Sequence, residues 1–281
     1  MEVLTSAKRL IALSKKWKQE GKSVGFVPTM GALHAGHLSL VAKSKTENDL
    51  TVVSIFVNPN QFNKLSDLEN YPRTFDRDKE MLELAEADLL FFPGVDEIYP
   101  EPDLRRFNFG KLEKVMEGEF RPGHFNGVAQ VVSRLFDIVQ PSKAYFGEKD
   151  FQQLAVVKAL VKQLNLPVEI VSCPTFREKN GLAMSSRNER LSEEGKKKAA
   201  IIFKILKEIQ VNLPALPVDL VKSNALNLFE EFGFLELEYL EIAYADTLEK
   251  ATHIEEGKHY VICIAAWMEG VRLIDNLKFP E

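Results

Sequence analysis

Short, nearly uninterrupted apolar runs alternating with longer amphipathic stretches constrain this chain more than any other feature. Residues 23–28 read SVGFVP and residues 50–57 read LTVVSIFV, and further runs lie at 88–92, 143–146 and 168–172. Between them, residues 36–47, 76–86, 125–139 and 151–164 carry apolar positions at helical spacing, most clearly Val128, Val131, Val132, Leu135 and Phe136. Strands that are apolar throughout, each followed by a helix, predict a parallel sheet buried on both faces. Ligands of such sheets bind beyond the carboxyl ends of the strands, where the strand order reverses. Polar clusters directly after strands are therefore the first places to look for chemistry.

The pattern changes near residue 175. Residues 192–211 and 218–232 predict two helices joined through LPALP, and 235–244, 259–267 and 271–274 predict strands that follow one another. That is an α+β arrangement. At roughly 150 residues per domain, the 281 residues divide into a first unit at 1–175 and a smaller second unit at 176–281.

Composition excludes several classes. Lys and Arg number 36 against 41 Asp and Glu, a net charge of −5, the opposite of the basic footprint that nucleic-acid binding requires. Two cysteines, Cys173 and Cys263, make neither a disulfide framework nor a zinc set. The longest apolar runs fall far short of the roughly 18 residues of a membrane span. The amino terminus, MEVLTSAKRLIALSKKWK, has an apolar run broken by lysines, unlike a secretory signal. The expectation is a cytoplasmic protein that acts on small molecules, with no nucleic acid and no membrane.

Six stretches carry chemistry. PTMGALHAGH at 28–37 follows a strand. His34 and His37, three apart at a helix start, face one spot, where free N–H groups and the helix dipole already favour an anion. Such a pair suits a triphosphate; zinc fits less well, because no third ligand falls at the right spacing. SIFVNPNQF at 54–62 places Gln61 at the rim of the second strand, and a carboxamide both donates and accepts. In YPRTFDRD at 71–78, Tyr71 is placed to close over a substrate. Asp78 can hold Mg²⁺ through water, or serve only as charge at a helix start. RPGHFNGVAQVV at 121–132 sets Asn126 and Gln130 on one helix face, with His124 as a cap. AYFGEKDFQQL at 144–154 offers Gly147 for close approach, Lys149 as a point charge for phosphate, Asp150 as helix cap or ribose acceptor, and Gln153 one turn on. Finally, Ser185, Ser186 and Arg187 follow a glycine-containing loop and combine two hydroxyls with a guanidinium, either a phosphate clamp or a hinge.

HAGH after a strand resembles the HxGH signature of the nucleotidylyltransferases and class I aminoacyl-tRNA synthetases, and the remaining stretches resemble the pantoate–β-alanine ligase family over nearly the whole chain. The resemblance implies a Rossmann-like, doubly wound sheet with a C-terminal α+β lid, and a homodimer. It implies ATP contacts at Met30, Gly31, Ala32, Leu33, His34, Ala35, Gly36 and His37, and at Gly147, Glu148, Lys149 and Asp150. Further ATP contacts are implied at Phe176, Met184, Ser185, Ser186 and Arg187, the last three as the counterpart of the synthetase KMSKS loop. Pantoate falls to Gln61, Gln153 and Tyr71, with β-alanine nearby, and Mg²⁺ to Asp78. The implied reaction forms pantoyl adenylate and pyrophosphate from pantoate and Mg-ATP, then pantothenate and AMP on attack by β-alanine. His34, His37, Lys149, Ser185, Ser186 and Arg187 would stabilise the first transition state, and His37 could also give a proton to pyrophosphate. Two other readings stay open: transfer of AMP to a phosphorylated acceptor, and a nucleotide-binding regulator without turnover.

Overall fold

The computed structural model describes residues 1–63 and 65–280. Its first sheet holds β1 (Glu2–Leu4), β2 (Val24–Thr29), β3 (Leu50–Ile55), β4 (Leu89–Phe91), β5 (Lys143–Gly147) and β6 (Glu169–Cys173). All pairings are parallel, in the order β1-β4-β3-β2-β5-β6. The helices between them are α1 (Ala7–Gln19), α2 (Ala35–Glu47), α3 (Leu65–Glu69), α4 (Phe75–Leu84), α5 (Val95–Ile98), α6 (Glu117–Phe120), α7 (His124–Val139) and α8 (Phe151–Gln163).

Successive strand residues point to opposite faces, and the two cores divide accordingly. Phe26, Val52 and Leu89 join Leu10 of α1 and the apolar stripes of α7 and α8. Val27, Val53 and Leu90 join Leu40 and Val41 of α2 and Leu82 of α4 on the other face. Leu10 and Leu82 are fully buried, which stabilises the fold by about 1.5–3 kcal/mol each. Close packing explains Gly25: a Cβ there would lie 2.1 Å from the Ser44 hydroxyl of α2. The doubly wound parallel sheet is as the sequence predicts; the short edge strand β1 and helices α1, α3, α5 and α6 are additions.

The C-terminal part has α9 (Glu193–Ala199), α10 (Ile201–Asn212) and α11 (Val218–Phe232), then an antiparallel sheet of β7 (Glu236–Tyr244), β8 (Tyr260–Met268) and β9 (Val271–Phe279) in sequential order. The single helix expected over 192–211 is two, parted at Ala200 (ψ −15°), and β9 runs five residues past the expected end at 274. One sheet face packs on α10 and α11. The other holds Val261 and Cys263 against Met116, from the segment that leads into α6. Residues 110–120 thus strap the first unit to the second sheet.

Candidate active site

The chain leaves β2 for β3 on one side and leaves β5 for β6 on the other, so the switch point lies between β2 and β5. Their carboxyl ends deliver residues 30–37 and 147–150 side by side. After β2, Gly31 turns in the left-handed region (φ +84°), and a Cβ there would press on Ile55 at 3.0 Å and on the Asp78 carboxylate at 3.1 Å. Asp78 holds the turn. Its oxygens accept from the backbone N–H of Ala32 (2.9 Å) and Leu33 (2.8 Å) and from the Thr74 hydroxyl (3.1 Å).

Three residues expected at the ligand have partners within the protein. Asp78 is 1% exposed, with both oxygens engaged, and it pins the loop. Ala32 and Leu33 give their N–H groups to Asp78, and Leu33 is fully buried in the core. They shape the turn and offer no donor to a nucleotide.

His34 is the N-cap of α2 and His37 its third residue, with ring centroids 4.0 Å apart. The His37 Nδ1 accepts from the His34 backbone N–H (3.3 Å), which leaves the ring proton on Nε2. Among the described residues, the buried Nδ1 of His34 has no partner. Burial, then Lys149, lowers the His34 pKa to about 4. Burial, then His34 and Lys149, lowers that of His37 to about 3. Both are neutral imidazoles at neutral pH, so the Nε2–H of His37 is a hydrogen-bond donor in the resting protein. Gly36 keeps the pair open: a Cβ there would lie 3.0 Å from the His34 ring and 3.4 Å from Phe176. Ala35 is exposed beside it.

After β5, Gly147, Glu148 and Lys149 lead into α8, with Asp150 in the N-cap position but making no capping bond. Its carboxylate lies 3.8 Å from the Lys149 ammonium and is free to accept from a ligand. The second sheet ties this turn down. Asn276 of β9 donates to the carbonyls of Glu148 and Lys149 (both 2.8 Å), and Lys278 pairs with the Glu148 carboxylate. Beside Asn276, Asp275 forms a two-pronged pair with Arg177 at 2.6 and 2.9 Å.

Two adjoining cavities open between the units. One, about 70 Å³, is lined by Met30, Gln61, Arg121, His124, Lys149, Asp150, Gln153 and Arg187, among others. The larger, about 310 Å³, shares Arg121, Lys149, Asp150 and Arg187 with it and adds Ser185, Asn188 and Arg272. In the smaller one, Gln61 contacts the Met30 sulfur and accepts from Asn58 (3.3 Å). Ser185 caps its own turn, accepting from the Arg187 N–H at 3.3 Å. Arg187 and Arg190 share the Asp67 carboxylate at 3.0 and 3.2 Å.

The cleft therefore gathers Met30, Gln61, Lys149, Asp150, Gln153, Ser185 and Arg187. His34 and His37 border neither cavity and meet the cleft through the charge of Lys149. Ser186 and Tyr71 are both buried, their hydroxyls 3.2 Å apart, so Tyr71 braces the serine turn. Phe176 is exposed, and its carbonyl accepts from Met184 N–H. His124 is not the cap of α7; Gly123 is, and the His124 Nδ1–H donates to the Gln61 carbonyl at 2.8 Å. Asn126 and Gln130 hold residues 103–107.

Sequence reasoning missed Arg121, Glu117, Arg272 and Asp67. Glu117 lies on α6 and Arg121 directly follows it, and that helix is too short for a periodic signal. Glu117 is buried and accepts from Arg272 at 2.7 and 2.8 Å and from Tyr239 at 2.8 Å. Burial raises its pKa, but the Arg272 bonds and charge outweigh this and hold it at about 2.

A doubly wound parallel sheet with HAGH at its switch point and a Ser-Ser-Arg turn across the cleft has the layout of a nucleotide-binding enzyme of the HxGH type. Comparison narrows this. The sequence profile of pantoate–β-alanine ligase matches residues 2–278. Pantothenate synthetase from Bacteroides thetaiotaomicron is 49% identical over 281 residues, covering 100% of both chains. That from Cytophaga hutchinsonii is 49% identical over 276 residues, 98% of each. Among solved structures, pantothenate synthetase from Thermus thermophilus superposes with a TM-score of 0.91 at 42% identity, covering 99% of each chain. Pantoate–β-alanine ligase from Francisella tularensis, complexed with β,γ-ATP and β-alanine, gives 0.84 at 35% identity, covering 99% of this chain and 97% of its own. The chain belongs to the pantoate–β-alanine ligase family.

Proposed function

We propose that the chain condenses pantoate with β-alanine at the expense of ATP, through pantoyl adenylate. One observation carries the reading beyond family membership. Two carboxamides, Gln61 and Gln153, share a small cavity with Lys149 and Arg187, so neutral donors for an acid adjoin cations for phosphates. A phosphorylated acceptor would call for cations where the glutamines stand.

In the first step a pantoate carboxylate oxygen attacks the α-phosphorus of ATP, and the bond to the bridging oxygen of pyrophosphate breaks. Displacement at phosphorus needs positioning and charge stabilisation more than covalent help. Gln61 and Gln153 hold the acid in line. The amide nitrogens orient it without a full counter-charge, which keeps it nucleophilic. His34 and His37 donate as neutral imidazoles at the α2 N-terminus, where the dipole also favours the growing charge. Lys149 and Arg187 neutralise the departing pyrophosphate, with the Ser185 hydroxyl beside them and Ser186 supporting the turn from below; Arg187 exchanges Asp67 for phosphate. Gly147 and Asp150 lie along the nucleoside, with Asp150 as ribose acceptor, and Met184 and the Phe176 backbone border the base. In the second step the β-alanine amine attacks the acyl carbon, AMP leaves, and the nitrogen sheds a proton to solvent.

Mg²⁺ is assigned to the nucleotide. No cluster of three or more metal-ligating side chains occurs among the described residues, and Asp78 is engaged by the loop. Phosphate oxygens and water suit Mg²⁺ in any case. We further read residues from 176 onward as a unit that closes over the cleft, hinged near Ser185, and the assembly as a cytoplasmic homodimer. No helix among the described residues is long and apolar enough to cross a membrane.

Incubation with ATP, Mg²⁺, pantoate and β-alanine tests the reading: pantothenate and AMP should appear in equal amounts. Gln61→Ala should raise the pantoate KM with less effect on that of ATP. Unchanged pantoate affinity in Gln61→Ala would move the acid out of this cavity, and ADP in place of AMP would remove the adenylate.

A further inference from the structure

The two substrates joined by the proposed reaction both carry carboxylates, but these have opposite fates. That of pantoate reacts, so neutral amides suit it. That of the amine survives unchanged into the product and is free to pair with a full positive charge throughout. The cleft holds several cations, and most are engaged. Arg187 and Arg190 share Asp67 at 3.0 and 3.2 Å, and Arg272 binds Glu117 and Glu238. Arg121 differs. It borders both cavities, and its contacts are long: 3.4 Å to the Glu117 carboxylate and 3.5 Å to the Gln61 carbonyl.

Resting on the reading above, we propose that Arg121 binds the carboxylate of the amine substrate and is the residue that selects an amino acid over a simple amine. A guanidinium fork matches a carboxylate in two-pronged fashion. Its reach to the Gln61 backbone places that fork beside the residue assigned to pantoate, so an amine on a short tether meets the acyl carbon. Glu117 holds one terminal nitrogen of that fork, Nη1, only at 3.4 Å, a contact a substrate carboxylate can replace. Glu117 is itself fixed by Arg272 and Tyr239, so it does not compete as a free anion. Amide formation joins the nitrogen to the acyl carbon and releases AMP; Arg121 takes no part in these bond changes and acts by binding alone.

The test compares β-alanine with β-alaninamide, the same amine without the charge. Pantoyl adenylate is formed on the enzyme, and its consumption by each amine is followed in a single turnover. The intact enzyme should favour β-alanine. In Arg121→Gln the kcat/KM for β-alanine should fall roughly 10- to 100-fold, the worth of a lost charge-assisted pair, and the preference over the amide should collapse. Arg121→Lys, which keeps the charge but not the fork, should fall between. An equal loss with both amines, or a preference that survives Arg121→Gln and disappears in Arg187→Gln, would overturn the assignment. Should neither Arg121 variant fold, the intact enzyme still decides: equal use of both amines, or no competition by propionate in the second step, refutes it. Pantoate-dependent ATP–pyrophosphate exchange without any amine reads the first step alone, so a failure of the parent reading shows separately.

Discussion

Replacing Asp78 by Asn separates two roles that the sequence leaves open. The side chain is 1% exposed and accepts from the N–H groups of Ala32 and Leu33 and from the Thr74 hydroxyl. An asparagine has nearly the same shape, but only one of its two terminal atoms accepts. Its amide oxygen can keep one backbone N–H, while its NH₂ faces the other and leaves a buried donor unpaired. Such a group costs about 1–3 kcal/mol, and losing the charge on the retained bond adds to this. Urea unfolding should therefore show a stability loss of about 1–3 kcal/mol with an unchanged m-value. The loop that Asp78 pins carries His34 and His37, so pantoate-dependent ATP–pyrophosphate exchange should fall about 10- to 100-fold, since small misplacements of reacting groups are costly. The Mg²⁺ concentration giving half-maximal exchange should not move. A stable variant with normal exchange at high Mg²⁺ and a raised Mg²⁺ requirement would refute the loop-pinning role and restore a metal contact.

Stability should fall on mild acidification. His34, His37 and His124 have folded pKa values lowered to about 4, 3 and 3, against about 6.5 in an unfolded chain. The unfolded state binds protons first, so their stabilisation is complete above about pH 6.5 and is lost as the pH falls toward 4, by up to about 1.4 kcal/mol per pH unit for each histidine. Urea midpoints across this range should slope less steeply in His124→Gln; parallel slopes would contradict the burial argument. Gly127→Ala should be destabilising and should weaken pantoate binding, because a Cβ there would lie 2.2 Å from the Asn60 carbonyl and 2.9 Å from the Gln61 Cα. A Gly127→Ala enzyme with wild-type pantoate affinity would show that Gln61 is not held from α7.

Much of this was legible in the sequence because local and global signals agree. Apolar strands such as 50–55 and the stripe of α7 announce a two-sided parallel sheet, and the Gly-containing turns after β2 and β5 mark its switch point. What stayed hidden has physical causes. The β9 pattern breaks at Asp275 and Asn276, which read as loop residues but are spent on Arg177 and on the carbonyls of the 148–149 turn. Those polar residues fasten one unit to the other, and periodicity records no such task. Asp78 and Tyr71 looked like ligand groups because residue type alone cannot tell a carboxylate facing solvent from one facing two backbone donors. Arg121 was passed over because α6, which it follows, has only four residues, too few to show a face.

The cleft described above should activate an acid by adenylylation before any amine arrives. ATP–pyrophosphate isotope exchange with Mg²⁺ and D-pantoate, with β-alanine left out, tests this directly. Exchange should require pantoate and should stop when Lys149 is replaced by Ala. Exchange without pantoate, or exchange seen only after β-alanine is added, would contradict it.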